Sequence, residues 1–240
     1  MVRVKPIRKD IVRHVVYDEE RWKLLNTLRL KAINIMEILE EEGIKSIVHG
    51  SVARGDVHKD SDIDIVIPYE IKPCIVEAAL IKHGLEPILK RICQATPWHV
   101  IKCHIILPEN TVITFPITPL SRLEREFYKF GGEVTLADLK RNIRRPGIDK
   151  RLMLIIPVED GHIEESIFGR EIEAAKILGI SLDIIEERKK VLLKRDEIGR
   201  TGIFVDIEFH PYISFEEMIF KIARRNIFFR KKLRESSVLS

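Results

Sequence analysis

The stretch IVHGSVARGDVHKDSDIDIVIP, residues 47–68, restricts the fold more than any other part of the chain. A short apolar run reaches Gly50, where a tight turn is expected, and Ser51 is placed to cap a brief helix running to about Val57. The loop HKDS follows, and then Asp62 and Asp64 alternate with Ile63, Ile65 and Ile67. Residues two apart in an extended strand project to one side, so the isoleucines enter the core and the two carboxylates stand together. Side-by-side carboxylates repel unless a cation lies between them, and an oxygen-preferring divalent ion such as Mg²⁺ answers that need. Gly50 lets backbone approach an anion closely, and the amides opening a helix at Ser51 favour negative charge. The Ser51 hydroxyl can donate to a phosphate oxygen, and Arg54, one turn on, can add a charge-assisted contact.

The rest of the chain supplies a globular frame for that site. Its 240 residues are 45% hydrophobic, enough for one or two domains with a real core. The net charge is only +4, so any nucleic-acid affinity must come from local patches. Gln94 is the sole glutamine in a Lys/Glu-rich chain, a balance that resembles a thermophile's. Cys74, Cys93 and Cys103 have no CxxC spacing, which argues against a zinc site and for reduced thiols. No apolar run approaches a membrane span and the first residues lack the core of a signal peptide, so the expectation is a cytoplasmic protein.

An amphipathic helix is expected over Trp22–Glu42, a strand at IKSIVH and another at DIDIVIP. Pro73 opens a helix to about His83, and EPILKRI, HVIKCHIIL and TVITFPI read as strands, with PEN a hairpin turn between the last two. These elements form an α/β (α+β) unit with a mixed sheet over residues 1–118. Residues 119–151 read as a basic linker with a helix or two, and 152–240 as a second domain beginning with the strand LMLIIP.

GSVARGDVHKDSDIDIVI resembles the signature of the DNA polymerase β-like nucleotidyltransferase superfamily. It is especially similar to the version in archaeal CCA-adding enzymes and minimal nucleotidyltransferases, and the first half resembles an archaeal group of predicted nucleotidyltransferases. The resemblance implies that Gly50 and Ser51 hold a triphosphate and that Asp62 and Asp64 bind catalytic Mg²⁺. The implied reaction moves a nucleoside monophosphate from an NTP to an acceptor hydroxyl of RNA, protein or a small molecule, releasing pyrophosphate. Members of the superfamily commonly carry a third carboxylate on a later strand, which would hold a second ion. Here TVITFPI offers Ile113 and Thr114 and no acid, leaving His104 as a base and Glu86 or Glu109 as substitutes. The alternative is a catalytically degenerate domain acting as a nucleic-acid-binding regulator.

In the second half, a helix, a Gly179 turn, a Ser181 cap and a second helix place Ala175, Gly179 and Ile185 where a helix-turn-helix needs a small, a turn and a core residue. With IGRTGIFVDI as a wing, residues 152–240 resemble a winged-helix-like domain. Arg188, Lys189, Lys190 and Arg200 are the candidate contacts to RNA or DNA, supported by Lys194 and Arg195. Asp183, Glu186 and Glu187 oppose that contact, and protein contact or acceptor docking competes with it. A last basic helix from about Ser214 mixes Lys221, Arg224, Arg225, Arg230, Lys231 and Lys232 with Phe220, Phe228 and Phe229. It is either an amphipathic packing helix with a solvated basic face or a further nucleic-acid contact.

Overall fold

The computed structural model describes residues 5–7, 11–199 and 202–237. In chain order the first elements are β1 (Val12–Val16), α1 (Glu19–Glu41), β2 (Ile47–His49), α2 (Ser51–Arg54), β3 (Ile63–Val66) and α3 (Pro73–Lys82). Next come β4 (Leu89–Gln94), β5 (Lys102–Leu107), β6 (Thr111–Pro116), α4 (Arg122–Phe130), β7 (Glu133–Thr135) and α5 (Leu136–Lys140). The remainder is β8 (Gly147–Ile148), β9 (Met153–Val158), β10 (Gly161–Ser166), α6 (Glu171–Leu178), α7 (Leu182–Ile198), β11 (Val205–Phe209), α8 (Phe215–Arg225) and α9 (Ile227–Leu233). The chain divides into two compact units assembled from interleaved stretches. One comprises Met1–Lys31, Val48–Ser61 and Arg122–Thr201; the other comprises Ala32–Ile47, Asp62–Ser121 and Gly202–Ser240.

The first unit holds an antiparallel sheet in the order β1-β10-β9-β8. Helices α6 and α7 bury Ala174, Ala175, Ile184 and Ile185 against Phe130, Ile148, Leu152, Leu154 and Ile167. Gly179 ends α6 in the left-handed conformation at φ 60°, and Ser181 stands at the N-cap position of α7. Strands β1 and β10 escape the sequence pattern for a physical reason. The buried positions of β10 are Gly161, His162, Glu164 and Ser166, so the polar side chains face inward. Arg151 compensates by pairing with both Asp149 and Glu164.

The second unit carries a mixed sheet with strands in the order β11-β4-β5-β6-β3. The β3–β6 pair is parallel, and the others are antiparallel. The β5–β6 hairpin turns through Glu109 and Asn110, both left-handed at φ 57° and 54°. Ile63, Ile65, Ile105, Ile113 and Phe115 are fully buried from the strands. Phe215 of α8 meets Phe115 edge-on at 5.6 Å and Phe209 at 5.3 Å. The strand expected as the second arm of a wing is therefore elsewhere: Val205–Phe209 pairs antiparallel with β4 and extends this sheet. Alternation suits it to any open sheet edge, and the edge offered by β4 accepts it. The single C-terminal helix expected from Ser214 breaks at Asn226, whose side chain caps α9 by accepting from the amides of Phe228 and Phe229.

Candidate functional site

The Gly-Ser turn lies in the first unit. Gly50, not Ser51, is the N-cap of α2; its φ of 84° and ψ of −143° fall where only glycine is comfortable. Ser51 is therefore the first helical residue, and α2 stops at Arg54 because Gly55 turns left-handed at φ 101°. The Gly50 amide donates to the Gly132 carbonyl at 3.0 Å, while the amides of Ala53 and Arg54 close on the Gly50 carbonyl at 3.1 Å. No side chain caps the helix, and opening helix amides are groups that favour an anion. The Ser51 hydroxyl is 3.4 Å from that of Ser61, too long to fix its direction, and Ser61 accepts the His58 amide at 2.9 Å.

The turn is braced from parts of the chain distant in sequence. Arg29 of α1 is buried and donates to the carbonyls of Val52 and Ile143 and to the Asn142 side chain. Burial first, then the Arg144 charge, lowers its pKa to about 10, so it stays cationic at neutral pH. Arg54 is also buried, and its guanidinium forks onto Asp56 at 3.0 and 2.9 Å and donates to the Gly131 carbonyl at 2.5 Å. The phosphate contact expected of Arg54 is thus replaced by an internal one, because the following Asp56 and the Gly131 carbonyl satisfy its donors first. Backbone crowding makes this possible: a Cβ on Gly131 would stand 2.2 Å from the His49 ring, and one on Gly147 would stand 2.4 Å from the Gly132 nitrogen.

Asp62 and Asp64 belong to the second unit. Asp62 is exposed one residue ahead of β3, and Asp64 is half-buried between the fully buried Ile63 and Ile65, as the alternation requires. Asp64 pairs in register with Val112, Val112 with Ile106, and Ile106 with Leu89, so the row crossing the sheet from Asp64 is apolar. The next row runs through Val66, Thr114, His104 and Arg91. His104 contacts Thr114 Oγ1 at 2.9 Å and Cys93 Sγ at 3.0 Å. Burial above all, then the charges of Lys102 and Arg91, depress its pKa to about 3, so it is a neutral imidazole and a very weak base. Ile113 faces the core, and Glu109 sits in the left-handed turn. Among the described residues no group of three or more His, Cys, Asp or Glu side chains is disposed to hold a metal. Two carboxylates suit an oxygen-preferring ion that completes its shell with water and phosphate oxygens, and they do not make a protein cage by themselves.

Of the candidate nucleic-acid contacts on α7, Arg188 and Lys189 turn inward. Arg188 stacks over Phe127 at 4.9 Å, and burial lowers its pKa to about 10. Lys189 donates to Glu171 at 2.5 Å and lies over the Phe168 ring. Lys190 is exposed, and Arg200 lies outside the described residues. Sequence reasoning missed Arg29 and the glycines at 131, 132 and 147; the paired glycines of FGGE are the only local signal.

In the second unit Asp64 lies on β3 with Asp62 one residue ahead of it, and in the first unit the Gly-Ser turn opens α2 without a side-chain cap. Residues 31–115 match the family model of the nucleotidyltransferase domain. The chain carries a nucleotidyltransferase domain of the polymerase β-like superfamily over that segment. No curated protein and no solved structure matches the chain.

Proposed function

We propose that the protein transfers a nucleoside monophosphate from an NTP to an acceptor hydroxyl, with Mg²⁺ as cofactor and pyrophosphate as product. The observation that carries this reading is that the matched segment, 31–115, contains both Gly50-Ser51 and Asp62-x-Asp64. Gly50 holds the turn open so that the amides of Ser51 and Val52, with the Ser51 hydroxyl, bind the triphosphate. Arg54 and Arg29 act behind the turn and fix its shape. Asp62 and Asp64 would hold Mg²⁺, which supplies charge neutralisation at the phosphate that is attacked. Because no group of three or more His, Cys, Asp or Glu side chains is disposed to hold a metal among the described residues, these carboxylates would bind and orient the metal–triphosphate unit, and the acceptor hydroxyl would lose its proton to a group outside this pair.

Calorimetric titration of an NTP with and without Mg²⁺ tests the proposal. The parent should bind much better with metal, and Asp64→Asn should lose that gain while its thermal melt stays put. Equal Mg²⁺-dependent binding by both would remove the aspartates from the site. Release of labelled pyrophosphate would then report the transfer itself.

A further inference from the structure

We propose that α8 and α9 form a docking surface for single-stranded nucleic acid, an inference that stands independently of the transfer reaction. Between Met218 and Arg234 the sequence holds seven cations and no acid. Two of them are neutralised at the ends, Lys221 by Glu217 at 2.6 Å and Lys232 by Glu235 at 2.7 Å. The other five, Arg224, Arg225, Arg230, Lys231 and Arg234, are exposed and have no carboxylate within ion-pair distance among the described residues. This contrasts with α7, whose Lys189 is committed to Glu171.

Aromatic rings stand open among these charges. Phe220 is 63% exposed and Phe228 49%, although Ile219, Ile222 and Phe229 of the same helices are buried. The helices thus have a buried apolar side that anchors them, while Phe220 stands open and Phe228, half exposed, meets the Phe204 ring edge-on at 6.4 Å. The Arg224 guanidinium lies 5.7 Å from the Phe220 ring centroid, one turn away, presenting a flat face and a cation together. Unpaired phosphates need the cations, and unstacked bases offer π-faces to the rings. A duplex hides its base faces inside the stack, and an acidic peptide would use the arginines but not the flat rings. Charge and ring together therefore favour a single strand.

The test uses the full chain and a short fluorescein-labelled oligouridylate, read by anisotropy across a salt series. Affinity should fall linearly on a log–log plot, by about 0.7 per phosphate neutralised. Arg224→Ala/Arg225→Ala/Arg230→Ala should flatten the slope by about 2. Phe220→Ala/Phe228→Ala should weaken binding by at least about tenfold and leave the slope unchanged. Both sets are solvent-facing, and coincident thermal melts confirm the fold. The proposal is overturned if the oligomer does not bind at about 50 mM salt, where phosphate contacts are strong, or if neither set alters binding. It also fails if duplex RNA or polyglutamate competes as well as unlabelled oligouridylate, outcomes that assign the surface to duplex phosphates or to an acidic protein.

Discussion

Replacing Arg54 with alanine separates a ligand contact from a structural brace. The Arg54 and Asp56 side chains are 8% and 10% exposed, and the guanidinium meets the carboxylate through two hydrogen bonds of 3.0 and 2.9 Å. Removing the cation leaves a nearly buried carboxylate unpaired and frees the Gly131 carbonyl, a loss of about 3–5 kcal/mol. For a chain of this length each kcal/mol shifts Tm by about 2–4 °C, so a fall of about 6–20 °C is expected. The double variant Arg54→Ala/Asp56→Ala should regain a substantial part of that loss, because no orphaned charge remains. NTP affinity should drop through distortion of the turn, yet its salt dependence should match the parent's, since the guanidinium is not a solvent-exposed phosphate contact. Calorimetry beside scanning melts checks both parts. A melt within about 2 °C of the parent, well under the shift worked above, would refute the brace. So would a marked change in the salt slope of NTP binding.

Gly147→Ala should destabilise more than Gly131→Ala, because its Cβ meets backbone at 2.4 Å whereas the second meets the His49 ring; denaturant midpoints rank them, with overpacking costing about 1–3 kcal/mol or more. His104 binds its proton far less readily folded, at about 3, than unfolded, near 6.5, so its contribution is complete above about pH 6.5 and is lost as pH falls towards 3. Stability of the parent should fall across that window with a slope approaching about 1.4 kcal/mol per pH unit from this group, and His104→Gln should show a shallower slope in urea titrations at stepped pH. Thiol titration should find one fast cysteine, the exposed Cys74, and two slow ones, since burial raises the pKa of Cys93 and drives that of Cys103 well up. Phe215→Ala should cost about 3–5 kcal/mol by emptying the aromatic cluster with Phe115 and Phe209, measurable by chemical denaturation.

The legible parts of this chain are those whose chemistry is local. Alternation at β3 places Asp64 on the face opposite Ile63 and Ile65, and the same period of burial marks β4 and β5, so each strand can be found without knowing its neighbour. Glycine's backbone freedom at residue 50 and at residue 179 is equally local. What eludes the sequence depends on distant partners. His162 and Glu164 look like solvent-facing residues until Tyr17 and Arg151 are placed beside them. Arg54 looks ready for a phosphate until Gly131 supplies a carbonyl from far along the chain. Val205–Phe209 carries a strand pattern, but alternation does not say which edge it joins.

That last pairing has a consequence for synthesis. Arg91 of β4 waits for Asp206 of β11, which arrives 115 residues later. At a ribosomal pace of about 5–20 residues per second, β4 stands as an open edge for on the order of 10 s before its neighbour emerges. Throughout that interval Phe115 also lacks the ring of Phe215. A nascent chain in this condition is a substrate for holdase chaperones and for edge-to-edge association with other nascent copies. Excising the matched segment 31–115 for expression would make that transient exposure permanent.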